Sequence, residues 1–545
     1  MKERIRVVAA VAREPRLARV ELAYLGFAAA EFGTWVAILV YAYERGGATA
    51  AALAAIVQLV PSGLVAPFAA FAGDRFRRDR VLFAGYVIQA IALGGVAVAL
   101  SADAPLAITY TFAAVAATTL TLTPPTQAAL LPGLTETPED LAAANAVSGL
   151  AESTGQFGGP FIAGLILAAS GPAAVFAVFA GVALVGALLV ARLEARGGDR
   201  APRERMDAGS VISGTLAGFR VLRHERSGGL VVLVLFATMV VVGALDVLFV
   251  AVAIDLLGEG QGWAGFLTAA YGLGGIVGAT TTILLVGRRR LAPPMTGGAL
   301  LMGGPVAVVG LAPAAATAPV LFAVTGAGRS IASVAGNTLL QRITPDAVLS
   351  RVFGALQGLS MFALAIGSLL ASGLIGAFGI RGALVATGAF VPAVVLLVWV
   401  PLRGIDRAAK APDPTALALL RHLAIFAPLS APAMERIMAN VVRLTVPAGG
   451  TVIREGDEGD RFYVIAEGSV EVSRAGVHLA DRVAGDFFGE IALLRDVPRT
   501  ATVVAKTPLT LLALDRGPFL EAVTGHPASR ESADAVVESR LRDQP

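Results

Sequence analysis

Gly485-Asp486-Phe487-Phe488-Gly489-Glu490-Ile491-Ala492-Leu493-Leu494, followed by Pro498-Arg499-Thr500-Ala501-Thr502, is the stretch on which the reading of this 545-residue chain turns. Gly489 lets the backbone come close to an anion. A short helix starting there aims free amides and the positive end of its dipole at that anion. Arg499 can add charge-assisted hydrogen bonds to the same group. A Gly-Glu pair alone means only a solvated turn; the whole arrangement predicts an anion-binding loop.

Its setting is a series of short apolar runs. Upstream stand Val446-Pro447-Ala448-Gly449-Gly450, then Ile453 to Ile465 with Gly456 and Gly459 inside it, then Glu467-Gly468-Ser469-Val470-Glu471-Val472. Alternating runs broken by Gly and Asp turns predict strands of a small antiparallel roll. Leu509 to Leu514 adds a strand, and Pro518-Phe519-Leu520 and Ala528 to Leu541 read as trailing helices. This region, residues 415–545, resembles the cyclic nucleotide-binding domain family, whose cassette runs F-G-E-[IL]-A-L, a spacer, then P-R-[ST]-A. The resemblance implies a β-roll with flanking helices, binding a nucleotide through Phe488, Gly489, Glu490, Ile491, Ala492, Arg499, Thr500 and Ala501. It puts Arg499 on the cyclic phosphate and makes Glu490 the acceptor for a ribose 2′-hydroxyl. The regulatory ligand expected is cAMP or cGMP. The Thr500 hydroxyl suits cGMP, yet similar cassettes with Ser or Thr hold cAMP, which is favoured. No other cofactor and no metal is expected.

The remainder of the chain is of another kind. Overall 56% of residues are hydrophobic and 15% charged, with mean hydropathy +0.74, which excludes a soluble globular protein and fits a polytopic membrane protein. With no cysteine, a disulfide framework or zinc-thiolate site is excluded. A pI near 9.4 could suggest nucleic acid, but the arginines cluster in loops beside apolar spans, and no nucleic-acid partner is expected. Residues 1–18, with Lys2, Arg4, Arg6, Arg13 and Arg16, lack the apolar core and cleavage site of a signal peptide.

Between residues 19 and 401 about twelve apolar spans of ~20 residues can be drawn, the length that crosses hydrocarbon as a helix. Their limits are 19–43, 48–72, 80–101, 104–130, 140–169, 171–192, 228–257, 261–287, 293–314, 317–341, 347–378 and 380–401. If the N-terminus is inside, inner loops hold Arg75, Arg77, Arg78 and Arg80, then Arg192 through Arg226, Arg288-Arg289-Arg290, Arg342, Arg351, Arg403 and Arg407. Outer loops hold only Arg45 and Arg381. The bias puts both termini in the cytoplasm; the membrane expected is the cell's inner (plasma) membrane, with lipid around the spans.

The loop Gly73-Asp74-Arg75-Phe76-Arg77-Arg78-Asp79-Arg80 resembles the G-x-x-x-D-R-x-G-R-[RK] motif of the major facilitator superfamily. Ala70 and Arg77 replace its two glycines. The resemblance implies a cytoplasmic gate latched around Asp74, Arg75 and Arg78. An internal repeat points the same way: Gly63, Gly94, Gly95, Gly164, Leu165 and Ile166 recur at one constant offset as Gly272, Gly303, Gly304, Gly373, Leu374 and Ile375. That predicts two six-helix halves, 19–192 and 228–401, joined by a cytoplasmic connector, 193–227, in which 209–223 could be amphipathic. A linker, 402–414, leads to the nucleotide domain. Pro138-Glu139-Asp140-Leu141, Ala144-Asn145-Ala146 and Gly155-Gln156-Phe157-Gly158-Gly159-Pro160 resemble the exporters of that superfamily, which implies efflux.

Glu31, Glu152, Asp246 and Arg329 sit mid-span. Each would cost about 2.5–3.5 kcal/mol facing lipid, so each is expected to face a cavity or another of the four. Either the carboxylates carry protons or contact cations with Arg329 as counter-ion, or they form structural ion pairs. Gln58, Gln89, Asn145, Gln156 and Asn337 either line a path or join helices. Asp255, at an outer helix end, is expected to be solvated. No G-x-x-x-x-G-K-[ST] loop occurs, so the expectation is a gradient-driven, proton-coupled exporter of a small molecule, regulated by nucleotide, monomeric or weakly dimeric, and not an enzyme. The alternatives are a receptor that no longer transports and a lipid-handling facilitator.

Overall fold

The structure, a computed structural model, describes residues 14–75, 77–135, 138–191, 193, 226–281, 290–343, 346–408, 414–429, 434, 437–438, 440–524 and 527–542. The expected amphipathic stretch 209–223, most of the connector 193–227 and residues 1–13 lie outside that set. The chain divides into two compact units, Met1–Leu285 with Arg290–Ala409, and Val286–Arg289 with Lys410–Pro545.

The first unit is helical: α1 Pro15–Arg75, α2 Arg78–Ser101, α3 Leu106–Leu130, α4 Pro138–Ser170, α5 Pro172–Val190, α6 Arg226–Ala251, α7 Gln261–Thr281, α8 Ala292–Leu311, α9 Ala318–Ile343 and α10 Asp346–Ala408. A π-helical turn, Val252–Leu256, extends α6. α1 breaks at Gly46 and Gly47, and α10 at Gly379. Eight helical stretches among the described residues are long and apolar enough to cross a membrane, Pro15–Gly63 and Gly358–Trp399 being 49 and 42 residues long. A bilayer core needs about 20 residues, so each of these two has length for a pair of crossings. α4 and α7 are also of crossing length, but glycine and polar residues dilute their apolarity. α10 continues past the expected end at 401 to Ala408. Pro401 removes one helical hydrogen bond there without stopping the helix.

Small residues bring these helices together. A methyl group on Gly155 or Gly159 would collide with Ala28 or Ala29 of α1, and one on Gly265 would lie 2.5 Å from the Pro160 carbonyl. The Gly155–Pro160 run thus seats α4 between α1 and α7, the close approach that small-residue spacing permits. Phe249, Tyr271 and Phe322 fill the centre of a continuous apolar core, with Phe249 edge-on to Phe322 at 4.9 Å.

The second unit holds α11 Pro414–His422, eight strands, α12 Glu490–Arg495, α13 Arg516–Thr524 and α14 Pro527–Arg542. Strands β1 Val442–Val446, β8 Leu509–Asp515, β3 Arg461–Glu467 and β6 Phe487–Phe488 form one antiparallel sheet; β2 Thr451–Ile453, β7 Thr502–Ala505, β4 Ser469–Arg474 and β5 Val477–Val483 form the other. Between the helices and the roll Phe462 stacks on Phe519 at 4.6 Å, and Phe426 meets both rings edge-on. The expected roll with trailing helices is present.

Candidate functional site

The cassette is set by strand register. β6 pairs Phe488 with Tyr463 and Phe487 with Val464 on β3, and the Phe488 and Tyr463 rings stack at 5.3 Å. The chain leaves this pairing at Gly489, in the left-handed conformation with φ 90°, and α12 starts at once. A side chain at 489 would stand 2.8 Å from Arg499 Nη1 and 3.0 Å from the Arg461 carbonyl oxygen, so glycine is needed twice over.

Arg499 arrives from the far side of α12. Its backbone is pinned to the 456–457 turn: Arg499 N donates to the Asp457 carbonyl at 2.8 Å, and Gly456 N to the Arg499 carbonyl at 2.9 Å. Its side chain is buried; Nη1 donates to the Gly489 carbonyl at 3.0 Å, and Nη2 to Asp460 Oδ1 at 2.9 Å and the Arg461 carbonyl at 2.8 Å. The guanidinium is thereby held in one orientation beside the Gly489 turn, the preorganisation a bidentate anion contact requires.

Glu490 is only 1% exposed. Its Oε1 accepts from Arg540 Nη1 of α14 at 2.7 Å, and its Oε2 is buried with no protein partner. Arg540 also donates to the Phe487 carbonyl at 2.9 Å and lies 4.4 Å over the Phe487 ring. Arg495 of α12 and Asp534 of α14 make a looser pair at 3.7 Å. Phe488 and Ala492 are buried, and Ile491, Thr500 and Ala501 half-buried beside them. The fold therefore brings Gly489 and Arg499 together and ties Glu490 to the last helix. Asp460 and Arg540 were missed by sequence reasoning. Asp460 stood in an acidic turn like any other, and Arg540 lay within a helix read only as trailing.

In the helical unit the four mid-span ionisable residues separate into two groups. Glu31 of α1 and Glu152 of α4 lie within electrostatic reach of each other. Asp246 of α6 accepts a hydrogen bond from the Trp35 indole and has Arg329 of α9 as its nearby cation. Asp255 is exposed, as expected for an outer helix end, and also finds a partner. The π-helical turn presents it to Tyr43 of α1, whose hydroxyl donates to Oδ2 at 2.5 Å. Gln261 likewise donates to Glu44. Glu21, unremarked in the sequence because arginines flank it, is 5% exposed and accepts from Ser148 at 2.7 Å. Of the gate residues, Arg78 donates to the Ala129 carbonyl at 2.7 Å; the Asp74 and Arg75 side chains lie outside the described set. Beside them Arg77 and Asp79 pair at 2.8 Å.

A helical membrane unit and a roll carrying a phosphate-type cassette define the class. Residues 20–322, more than half of the chain, match the Major Facilitator Superfamily, and the chain belongs to it. Residues 443–526 match the cyclic nucleotide-binding domain. The chain is similar to the cAMP-dependent protein kinase regulatory subunit of Yarrowia lipolytica, 38% identical over 98 residues, 18% of this chain and 26% of that one. It is similar also to the cGMP-dependent protein kinase egl-4 of Caenorhabditis briggsae, 49% identical over 72 residues, 13% of this chain and 10% of that one. The chain thus spans about a quarter or less of the length of these relatives. A solved N-terminal domain of a transcriptional regulator from Streptomyces coelicolor A3(2) is 33% identical, covering 23% of this chain and 92% of that one at a TM-score of 0.20.

Proposed function

We propose that this protein is a secondary transporter whose activity is set by a cyclic nucleotide bound to its second unit. The observation that carries the reading is the cassette, with buried Arg499 held beside Gly489 and a buried Glu490 oxygen left free, in a chain of the Major Facilitator Superfamily. The Arg499 edge takes the cyclic phosphate together with the first amides of α12. Glu490 Oε2 takes the ribose hydroxyl, and Phe488, Ile491, Ala492, Thr500 and Ala501 complete the contact. cAMP is the favoured ligand; the similarity to kinases of both nucleotides leaves cGMP as the competitor. α14 is the responding element, because Arg540 holds the same carboxylate that the ribose needs.

The helical unit is read as twelve crossings in two halves, 19–192 and 228–401, with the N-terminal segment 1–18, the connector 193–227, the linker 402–414 and the nucleotide domain 415–545 on the cytoplasmic side of the plasma membrane. Export driven by a proton gradient through Glu31, Glu152 and Asp246 is the working mechanism, with Arg329 the counter-ion of Asp246 and Asp74, Arg75 and Arg78 at the inner gate. The test is substrate flux in proteoliposomes under an imposed pH gradient, with and without cAMP or cGMP. Flux altered by nucleotide supports the reading. Nucleotide binding with no flux of any solute favours a sensor instead.

A further inference from the structure

Arg329, Ser333 and Asn337 stand on successive turns of one face of α9, and each has a buried polar atom without a protein partner: Nε, Oγ and Oδ1 respectively. The Tyr271 hydroxyl of α7, which packs against α9, is buried as well and meets the Arg329 guanidinium without completing a full hydrogen bond. Tyr271 lies beside the guanidinium, with Arg329 Cζ 5.7 Å from its ring centre. Buried polar atoms are almost always paired, and each exception calls for an explanation. Asp246 supplies counter-charge to Arg329 but leaves the Nε edge untouched, and its own hydrogen bond comes from Trp35 on α1. The Nε edge of an arginine is the side that receives an oxyanion in the two-pronged manner. Beyond it, two helical turns or about 12 Å of rise lead to Asn337 Oδ1, which can only accept.

We propose that this row is the substrate subsite of the helical unit and that its ligand is an organic acid: a carboxylate or phosphate on Arg329 and Tyr271, and a hydroxyl or amide donor toward Asn337. The inference rests on the transporter reading for its biological meaning and names the substrate class of that site. Asp246 offsets the charge of Arg329 and repels an anion beside it. Neutralising Asp246 therefore strengthens anion binding, whereas neutralising Arg329 abolishes it. A purely structural ion pair behaves otherwise, since loss of either partner then damages the same fold.

The experiment is equilibrium binding to the full chain in phosphatidylcholine nanodiscs, without any gradient. The probes are radiolabelled p-coumarate, which has both groups, its neutral amide, and cinnamate, which lacks the hydroxyl. Saturable binding in the order p-coumarate, cinnamate, amide is expected. Arg329→Gln should weaken p-coumarate at least about tenfold, the scale of a lost charged hydrogen bond. Asp246→Asn should tighten it several-fold, and Asn337→Ala should erase the advantage of p-coumarate over cinnamate. Melting temperatures check folding; if Arg329→Gln melts early, Arg329→Lys, which keeps charge but not the Nε edge, should fall between. Displacement by phosphatidic acid in the disc would assign the oxyanion to a lipid headgroup, and no displacement to a soluble acid; both keep the subsite. No saturable p-coumarate binding, equal affinity for acid and amide, or losses of the same sign in Arg329→Gln and Asp246→Asn would overturn it. Because this experiment measures no flux, it is independent of the proteoliposome test: binding of this pattern alongside a failed flux test would count against the transporter reading alone.

Discussion

Arg499 is the residue on which the nucleotide site depends, because it performs two tasks. In the proposed site it presents charge to a phosphate, and in the fold it ties Gly489 to Asp460 and Arg461. Arg499→Ala should weaken nucleotide binding by about 1.5–3 kcal/mol, the range of a charged hydrogen bond, and lower the melting temperature of the second unit as well. Calorimetry on residues 415–545, which carry their own core, separates the two effects. Gly489→Ala should cost about 1–3 kcal/mol from left-handed backbone strain, before counting its clash with Arg499; normal binding and melting in that variant would refute the cassette geometry. Tyr463 gives a pH test. Burial, and then the Asp460 carboxylate, push its phenol above the ordinary range. The folded state holds that proton more tightly than the unfolded one, so this contribution is complete below pH about 10 and is lost as pH rises through the folded value. Tyr463→Phe should flatten the alkaline fall in melting temperature.

At the scale of elements, α14 is held to the cassette by Arg540 and Arg495–Asp534. Arg540→Ala should free the helix without removing phosphate contacts: amide exchange over 527–542 should rise, while nucleotide affinity changes less than in Arg499→Ala. Unchanged exchange would mean that apolar packing alone holds α14. Two turns of the helical unit share one backbone conformation. Gly171, before α5, has φ 78° and ψ −176°; Gly379, inside α10, has φ 68° and ψ 175°. This region belongs almost wholly to glycine, and the two positions are separated by nearly the offset of the sequence repeat. Gly379→Ala should therefore destabilise the unit by about 1–3 kcal/mol, read as an earlier thermal transition in nanodiscs.

For the molecule as a whole, regulation is a matter of linkage. A nucleotide that binds one transporter state tenfold better supplies about 1.4 kcal/mol of bias, so transport should change several-fold; moving from 1:99 to 99:1 needs about 5.5 kcal/mol. Substrate must then change nucleotide affinity by the same factor. Paired titrations on the full chain, flux against nucleotide and nucleotide binding against substrate, check both. Two flat curves with nucleotide binding intact would leave the units merely joined. What the sequence alone determined was whatever is written in contiguous residues: apolar stretches long enough for a membrane, the strand–turn rhythm of the roll, and a cassette whose Gly489 and Arg499 lie ten positions apart. Only the tertiary structure decided the partners. Asp460 and Arg540 reach the cassette from either side of it, Trp35 reaches Asp246, and a π-helical turn delivers Asp255 to Tyr43. The reason is physical: burial length and backbone conformation act along the chain and leave a local pattern, whereas a buried charge is satisfied by whichever donor the packing brings within 3 Å or so, and no spacing in the sequence records that meeting.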